Sequence, residues 1–247
     1  MRKLATLFFT LLTLNAHAGM LVDKTRVIFH EGEETQGINI MNINAYPSFV
    51  QMWVDSGDIN NFAQSPDAPF VLIPPIFNLR ADEVKSVKII YDGKKLAADR
   101  ESLYWINLYE VPAVKTGLTQ QQYLLMSMKT QLKLIYRPKN LNGNITAAGK
   151  SVSCTVENKV PLTLVCRNPS GYFLSYNDIS VSFRGHRYQA TAELDLMLPP
   201  FSTQRFGLKA LPQASLETGN SITFRLINDA GEREEISQGD PDQGKVG

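Results

Sequence analysis

The sequence predicts an all-β chain folded as two β-sandwich halves, and three observations carry that reading. Short runs rich in Val, Ile, Tyr, Phe and Thr recur between turn residues, which is the pattern of antiparallel sandwiches. Apolar spacing of the helical kind is almost absent. After Arg137-Pro138 the composition turns polar through Lys139-Asn140-Leu141-Asn142-Gly143-Asn144, which sets a boundary between residues 19–138 and 139–247.

The chain starts Met1-Arg2-Lys3, continues apolar from Leu4 to Leu14 and reaches Ala16-His17-Ala18, a small-x-small cleavage site. Residues 1–18 therefore read as an export signal. That run is too short to span a bilayer comfortably and nothing later approaches the needed length, so the mature chain is expected to be soluble, without membrane insertion. Of 247 residues about 229 remain, enough for two modest domains. Without Arg2 and Lys3 the 25 basic residues become 23 against 24 acidic ones, a formal charge near −1. A nucleic-acid partner would call for a basic excess on one face, which this balance does not supply.

In the first half, strands are expected at Leu21 to Phe29, Gly37 to Ile43, Phe49 to Asp55, Phe70 to Leu79, Val84 to Tyr91, Leu103 to Val111 and Tyr123 to Tyr136. Val87, Ile89 and Tyr91 alternate with Ser86, Lys88 and Ile90, so one face of that strand is core. Pro74-Pro75 interrupts the apolar run Phe70 to Leu79 and fits an edge position, a strand that switches sheets, or a cis peptide at a bend. Trp53 and Trp105 are expected to pack in the core.

The last of these strands carries the most information. Leu124, Met126 and Met128 sit two residues apart and project from one side of an extended chain, where an unpaired edge would offer them to a partner. Lys133 is a lone cation in the apolar run that follows, and it calls for an anion. A core strand with one snorkelling lysine is the plainer alternative.

In the second half, strands are expected at Ser151 to Glu157, Leu162 to Arg167, Phe173 to Phe183, near Tyr188, and at Leu194 to Leu198, Thr203 to Leu208 and Ser221 to Leu226. Turns at Asn168-Pro169-Ser170-Gly171, Arg184-Gly185 and Pro199-Pro200 separate them. The stretch from Glu232 to Gly247 is polar and reads as a frayed tail. Cys154 and Cys166 are close in sequence, and export to an oxidising compartment favours a disulfide between them, with two buried free thiols as the alternative.

Chemistry is scarce. Gly143 to Ser151 resembles a phosphate-binding Walker loop, but it has one residue too many between the glycines and lacks the strand before and helix after that such a loop needs. Only His30 and His186 survive loss of the signal, and they fall in different halves, so a metal cluster, a dismutase-like copper/zinc site or a Ser-His-Asp triad has little to be built from. No enzyme activity and no cofactor are expected.

Three ordered motifs carry a resemblance to a known family. They are Asp23-Lys24-Thr25-Arg26-Val27-Ile28-Phe29, then Asp99-Arg100-Glu101-Ser102-Leu103-Tyr104-Trp105-Ile106-Asn107-Leu108-Tyr109-Glu110-Val111-Pro112, then Lys133-Leu134-Ile135-Tyr136-Arg137-Pro138. Over nearly the whole mature chain the sequence resembles the periplasmic PapD-like chaperones of the chaperone-usher pathway, which assembles bacterial pili. The resemblance implies two immunoglobulin-like domains set at an angle, and an ATP-independent periplasmic function. It implies that Arg26 and Lys133 hold the C-terminal carboxylate of a pilus subunit. It implies that Leu124, Met126 and Met128 fill the groove of a subunit that lacks its last strand, and that the complex is delivered to an outer-membrane usher.

It further implies an interdomain charge network of Glu101, Arg137 and Asp229, although Asn228-Asp229-Ala230-Gly231 also reads as a plain turn. The segment Lys115 to Gln122 is short, as in the short-loop subgroup. Strict alternation gives Lys133 the opposite parity to Met126 and Met128, so a bulge or twist is expected if both serve one client. Whether the free chain hides its edge by self-association stays open. The competing reading is an exported immunoglobulin-like module, itself a pilus subunit or adhesin, although such subunits have an incomplete sandwich and seven strands are read in the first half here.

Overall fold

The computed structural model describes residues 19–57, 68–113, 126–157, 160–192, 195–211 and 219–239. The export signal, Leu124 and the segment Lys115 to Gln122 lie outside the described residues.

Among the described residues nine strands build the first sandwich. They are β1 (Met20–Val22), β2 (Arg26–His30), β3 (Thr35–Asn42), β4 (Ser48–Asp55), β5 (Phe70–Ile73), β6 (Ile76–Leu79), β7 (Val84–Tyr91), β8 (Ser102–Pro112) and β9 (Met128–Arg137). One sheet has the order β1-β3-β7-β5 and the other β2-β9-β8-β4-β6. Alternation decides which side chains meet between them: Ile38 and Ile40 of β3 and Val87 and Ile89 of β7 are fully buried, while Asn39, Ser86 and Lys88 face outward. Phe29 and Phe70 pack edge to face across this core at 5.2 Å.

Two expected strands are in fact pairs that change sheets. Leu21 to Phe29 divides at polar Asp23-Lys24-Thr25: β1 pairs antiparallel with β3, and β2 pairs parallel with β9. Phe70 to Leu79 divides at Pro74-Pro75, where β5 pairs with β7 and β6 with β4. The Ile73–Pro74 peptide is cis, so the sheet switch and the cis bond occur together. Proline cannot donate to a ladder, which is why the ladder is relayed to the opposite sheet at this point.

The second sandwich is built from α1 (Ile145–Ser151), β10 (Ser153–Glu157), β11 (Thr163–Arg167), β12 (Leu174–Phe183), β13 (His186–Thr191), β14 (Met197–Leu198), β15 (Thr203–Ala210), β16 (Ser221–Ile227) and β17 (Arg233–Gln238). The strands follow the order β10-β11-β15-β13-β12-β16-β17, with β14 on the first residues of β12. Leu164, Leu174, Ile179, Ile222 and Leu226 fill its core. Cys154 and Cys166 are direct partners across β10 and β11 and are joined by a disulfide, Cα to Cα 4.1 Å.

Two expectations fail here. The polar stretch after Glu232 is not a frayed tail as far as Gln238: β17 pairs with β16, and Ile236 is buried. A single apolar residue suffices, because Glu234 accepts from Thr146 Oγ1 at 2.7 Å and Glu235 lies 3.6 Å from Arg225. The Walker-like segment forms a short helix, which the near absence of helical spacing did not anticipate. Asn144 caps it by accepting from the Ala147 amide at 2.8 Å. Gly149 packs closely on β17, since a Cβ there would lie 2.7 Å from Ile236 Cδ1 and that methyl would have to shift. Among the described residues no helix is long and apolar enough to cross a membrane.

Candidate functional site

Strand β9 positions the site, because its two edges are covered unequally. On one edge it pairs with β8 in unbroken register from Met128 to Tyr136. On the other edge β2 covers only Lys133 to Arg137. Among the described residues the backbone from Met128 to Leu132 is therefore an open edge, and it ends where Arg26 sits opposite Lys133. Met126 and Met128 stand at its start and are 72% and 48% exposed.

From Met128 to Tyr136 strand β9 pairs with β8 without a bulge. Leu132, Leu134 and Tyr136 point into the first sandwich's core, and Met128 shares their face. Lys133 has the other parity and points into the cleft between the two sandwiches. Met128 and Lys133 therefore project from opposite faces of one regular strand.

Arg26 and Lys133 are both only 9% exposed. Lys133 Nζ ion-pairs with Asp195 and donates to Ser175 Oγ at 2.8 Å, both from the second sandwich. The Trp105 ring lies 5.5 Å from Nζ. Burial pushes the Lys133 ammonium below the ordinary lysine value; Asp195 opposes that shift and Arg26 adds to it. Arg26 Nη1 donates to the Ile227 carbonyl at 3.2 Å, while its Nε is buried with no hydrogen-bond partner among the described residues. Burial lowers Arg26 too, against the raising fields of Asp229, Asp195 and Glu101.

Trp105 corrects one expectation. Trp53 is buried, its indole N–H donating to Asp55 at 3.2 Å, but Trp105 is only half-buried and forms part of the cleft wall. Beneath it a buried chain runs from Asp55 through Asn107 Nδ2 at 2.9 Å to Gln131 at 2.8 Å, tying β4, β8 and β9 together.

Arg137, Glu101 and Asp229 meet at the far side of the cleft. Arg137 Nε donates to Glu101 at 2.6 Å, and its two terminal nitrogens donate to Asp229 at 2.6 and 2.8 Å. The Phe173 amide donates to the other Glu101 oxygen at 2.7 Å, and the Glu101 amide donates to the Gly171 carbonyl at 2.8 Å. Burial raises the Glu101 carboxyl above its ordinary value, with Arg137 and the Phe173 amide opposing. Burial would lower Arg137, but the bonds to Asp229 and Glu101 outweigh it and hold it above the usual arginine value. Residues Asn228 to Gly231 do form a turn, closed by the Gly231 amide on the Asn228 carbonyl at 3.0 Å, and Asp229 still reaches Arg137 from it. Gly231 has φ +84°, and a Cβ there would collide with Thr25 Oγ1 across the cleft.

The family model of the pili and flagellar-assembly chaperone PapD N-terminal domain matches residues 19–142, and that of the pili assembly chaperone PapD C-terminal domain matches residues 147–238. The chain belongs to the PapD family of pilus-assembly chaperones. It is 31% identical over 222 residues to the chaperone protein FimB/FhaD of Bordetella pertussis, covering 87% of this chain and 86% of that one. It is similar to the crystal structure of the YadV chaperone, with TM-score 0.73, 27% identity and coverage of 89% of this chain and 98% of the other. It is also similar to the Salmonella enterica SafB chaperone solved in complex with SafA pilin, with TM-score 0.71, 26% identity and coverage of 91% and 98%. The fold shared by this family is two immunoglobulin-like sandwiches set at an angle.

Asp195 and Ser175 escape sequence reasoning. Each is one polar residue in a segment read as a strand, and only the meeting of the two sandwiches brings them to Lys133.

Proposed function

We propose that this chain is a periplasmic chaperone that captures an unfinished pilus subunit, completes its fold by lending a strand, and passes it to an outer-membrane usher. The observation that carries the reading is the half-covered edge of β9, which runs from exposed Met128 to the buried cations Arg26 and Lys133. A client strand added to that edge continues the line of β2, parallel to β9, and its last residue arrives at Arg26 and Lys133. Backbone pairing then supplies affinity, and Leu124, Met126 and Met128 enter the client's open groove. The terminal carboxylate, held between two desolvated cations by charge-assisted bonds, sets the register.

In this reading Glu101, Arg137 and Asp229 fix the angle between domains 19–138 and 139–247, so that both cations and the edge stay in one line. Residues 1–18 direct export. The chain performs no covalent chemistry, and the client leaves by strand exchange. The SafA pilin held by the similar SafB chaperone supports pilus subunits as the client class.

A refolding experiment tests this. A denatured pilus subunit diluted into the chain should give a one-to-one folded complex without ATP. Aggregation of every pilus subunit tried, at the same rate with and without the chain, would overturn the reading.

A further inference from the structure

The chain keeps a carboxylate of its own on one of the two cations. Asp195, between β13 and β14, ion-pairs with Lys133 Nζ across the cleft. The burial of the partners is unequal, with the lysine side chain 10% exposed and the aspartate 32%. The anion thus sits at the mouth of the site and the cation at its floor. Among the described residues Arg26, paired beside Lys133, has no carboxylate bonded to it: Nη1 is taken by the Ile227 carbonyl and Nε has no hydrogen-bond partner.

This asymmetry has a physical consequence. A desolvated ammonium next to a guanidinium is costly without an anion. Asp195 meets that need at Lys133, but its bond reaches only one of the two cations. A terminal carboxylate lying between Arg26 and Lys133 has two oxygens, one for each cation, and so makes a bond that Asp195 does not. The exchange keeps a carboxylate on Lys133 throughout. Asp195 borders an open recess with Tyr176, Asn177, Thr191 and Leu196, where the displaced side chain has room to turn and regain water.

Resting on the carboxylate-anchor reading above, we propose that Asp195 is an internal stand-in for the client's C-terminal carboxylate, holding Lys133 in the free chain and giving way when a subunit binds. It raises the affinity a client must have to be captured, and by returning to Lys133 it helps the client leave. Asp195 is then a specificity-determining residue, because a chain end lacking a free carboxylate cannot repay its displacement.

The test uses the full-length mature chain and a synthetic peptide carrying a pilus subunit's C-terminal strand, made as the free acid and as the C-terminal amide, with affinities measured by calorimetry. Asp195→Asn and Asp195→Ala should bind the acid roughly tenfold more tightly than the unaltered chain and the amide equally, while Asp195→Glu keeps the original affinities. Melting curves verify that each variant is folded. Unchanged or weaker acid binding in both neutral variants, with Lys133→Ala still losing the acid, would overturn the stand-in and leave the anchor intact. If Arg26→Ala and Lys133→Ala bind acid and amide as the unaltered chain does, the anchor itself fails and the stand-in fails with it.

Discussion

Arg26 and Lys133 are direct partners in the parallel ladder of β2 and β9, so two buried cations rise into one cleft floor from neighbouring strands whose backbones run about 4.8 Å apart. Like charges so placed repel each other. Removing Lys133 relieves that repulsion and its own desolvation, and Asp195, 32% exposed, regains water, so the free protein should lose little, while removing a cation from a buried charge pair costs binding about 2–5 kcal/mol. Lys133→Ala is expected to melt near the unaltered temperature and to lose about 30-fold or more in subunit affinity, both read on one preparation.

Met126 and Met128 are exposed in the free chain, so a charge there is solvated until a client covers it. Met126→Asp and Met128→Asp should fold normally and weaken subunit binding by about 3 kcal/mol or more, because the carboxylate would enter an apolar groove. Affinity equal to that of the unaltered chain would remove these residues from the client contact.

Glu101 is 2% exposed and satisfies the Phe173 amide and Arg137 together. Glu101→Ala leaves the Phe173 amide and Arg137 Nε without their acceptor while Asp229 stays on the arginine's terminal nitrogens, and breaking a buried pair from one side costs up to about 3–5 kcal/mol. Denaturant unfolding should register that loss, and small-angle scattering should report a wider spread of angles between the domains.

Lys133 also makes a pH prediction. Burial holds its folded-state pKa below the ordinary value of 10.5, so the unfolded chain binds more protons in the window beneath that value. Stability contributed at this site therefore rises with pH there, while the cation needed for anion binding is lost. Compared with Lys133→Met, the unaltered chain should gain relative stability as pH climbs toward 10.5, and carboxylate binding should fall over the same interval.

The disulfide joins residues paired in register on neighbouring strands, 12 apart in sequence. Replacing both cysteines by serine should lower unfolding free energy by roughly 2–3 kcal/mol on the loop-entropy account. Subunit capture, which the proposed function assigns mainly to the first sandwich, should persist in the double variant below its new melting point.

Strand periodicity made most of the fold legible, because buried alternation at Val87 and Ile89 leaves a direct trace in sequence. Places where the chain leaves one ladder for another were less legible. Asp23 to Thr25 and Pro74-Pro75 look like interruptions within strands, and only pairing reveals that each moves the chain to the other sheet. Strand β17 hid because one buried residue, Ile236, one ion pair and one side-chain hydrogen bond hold it beside its ladder to β16. In the cleft, the cations Arg26 and Lys133 and the charges Glu101, Arg137 and Asp229 came from motif resemblance. Asp195, Ser175 and the cleft-facing Trp105 did not, since their positions depend on how two separately patterned sandwiches meet.

Periplasmic copurification most directly tests whether this cleft captures pilus subunits by their chain ends. A pilus subunit would be coexpressed with the unaltered chain, with Arg26→Ala and with Lys133→Ala, and the amount of subunit carried through purification measured beside the melting temperature of each chaperone. The account predicts recovery with the unaltered chain and loss with both folded variants. Equal recovery from all three would contradict it.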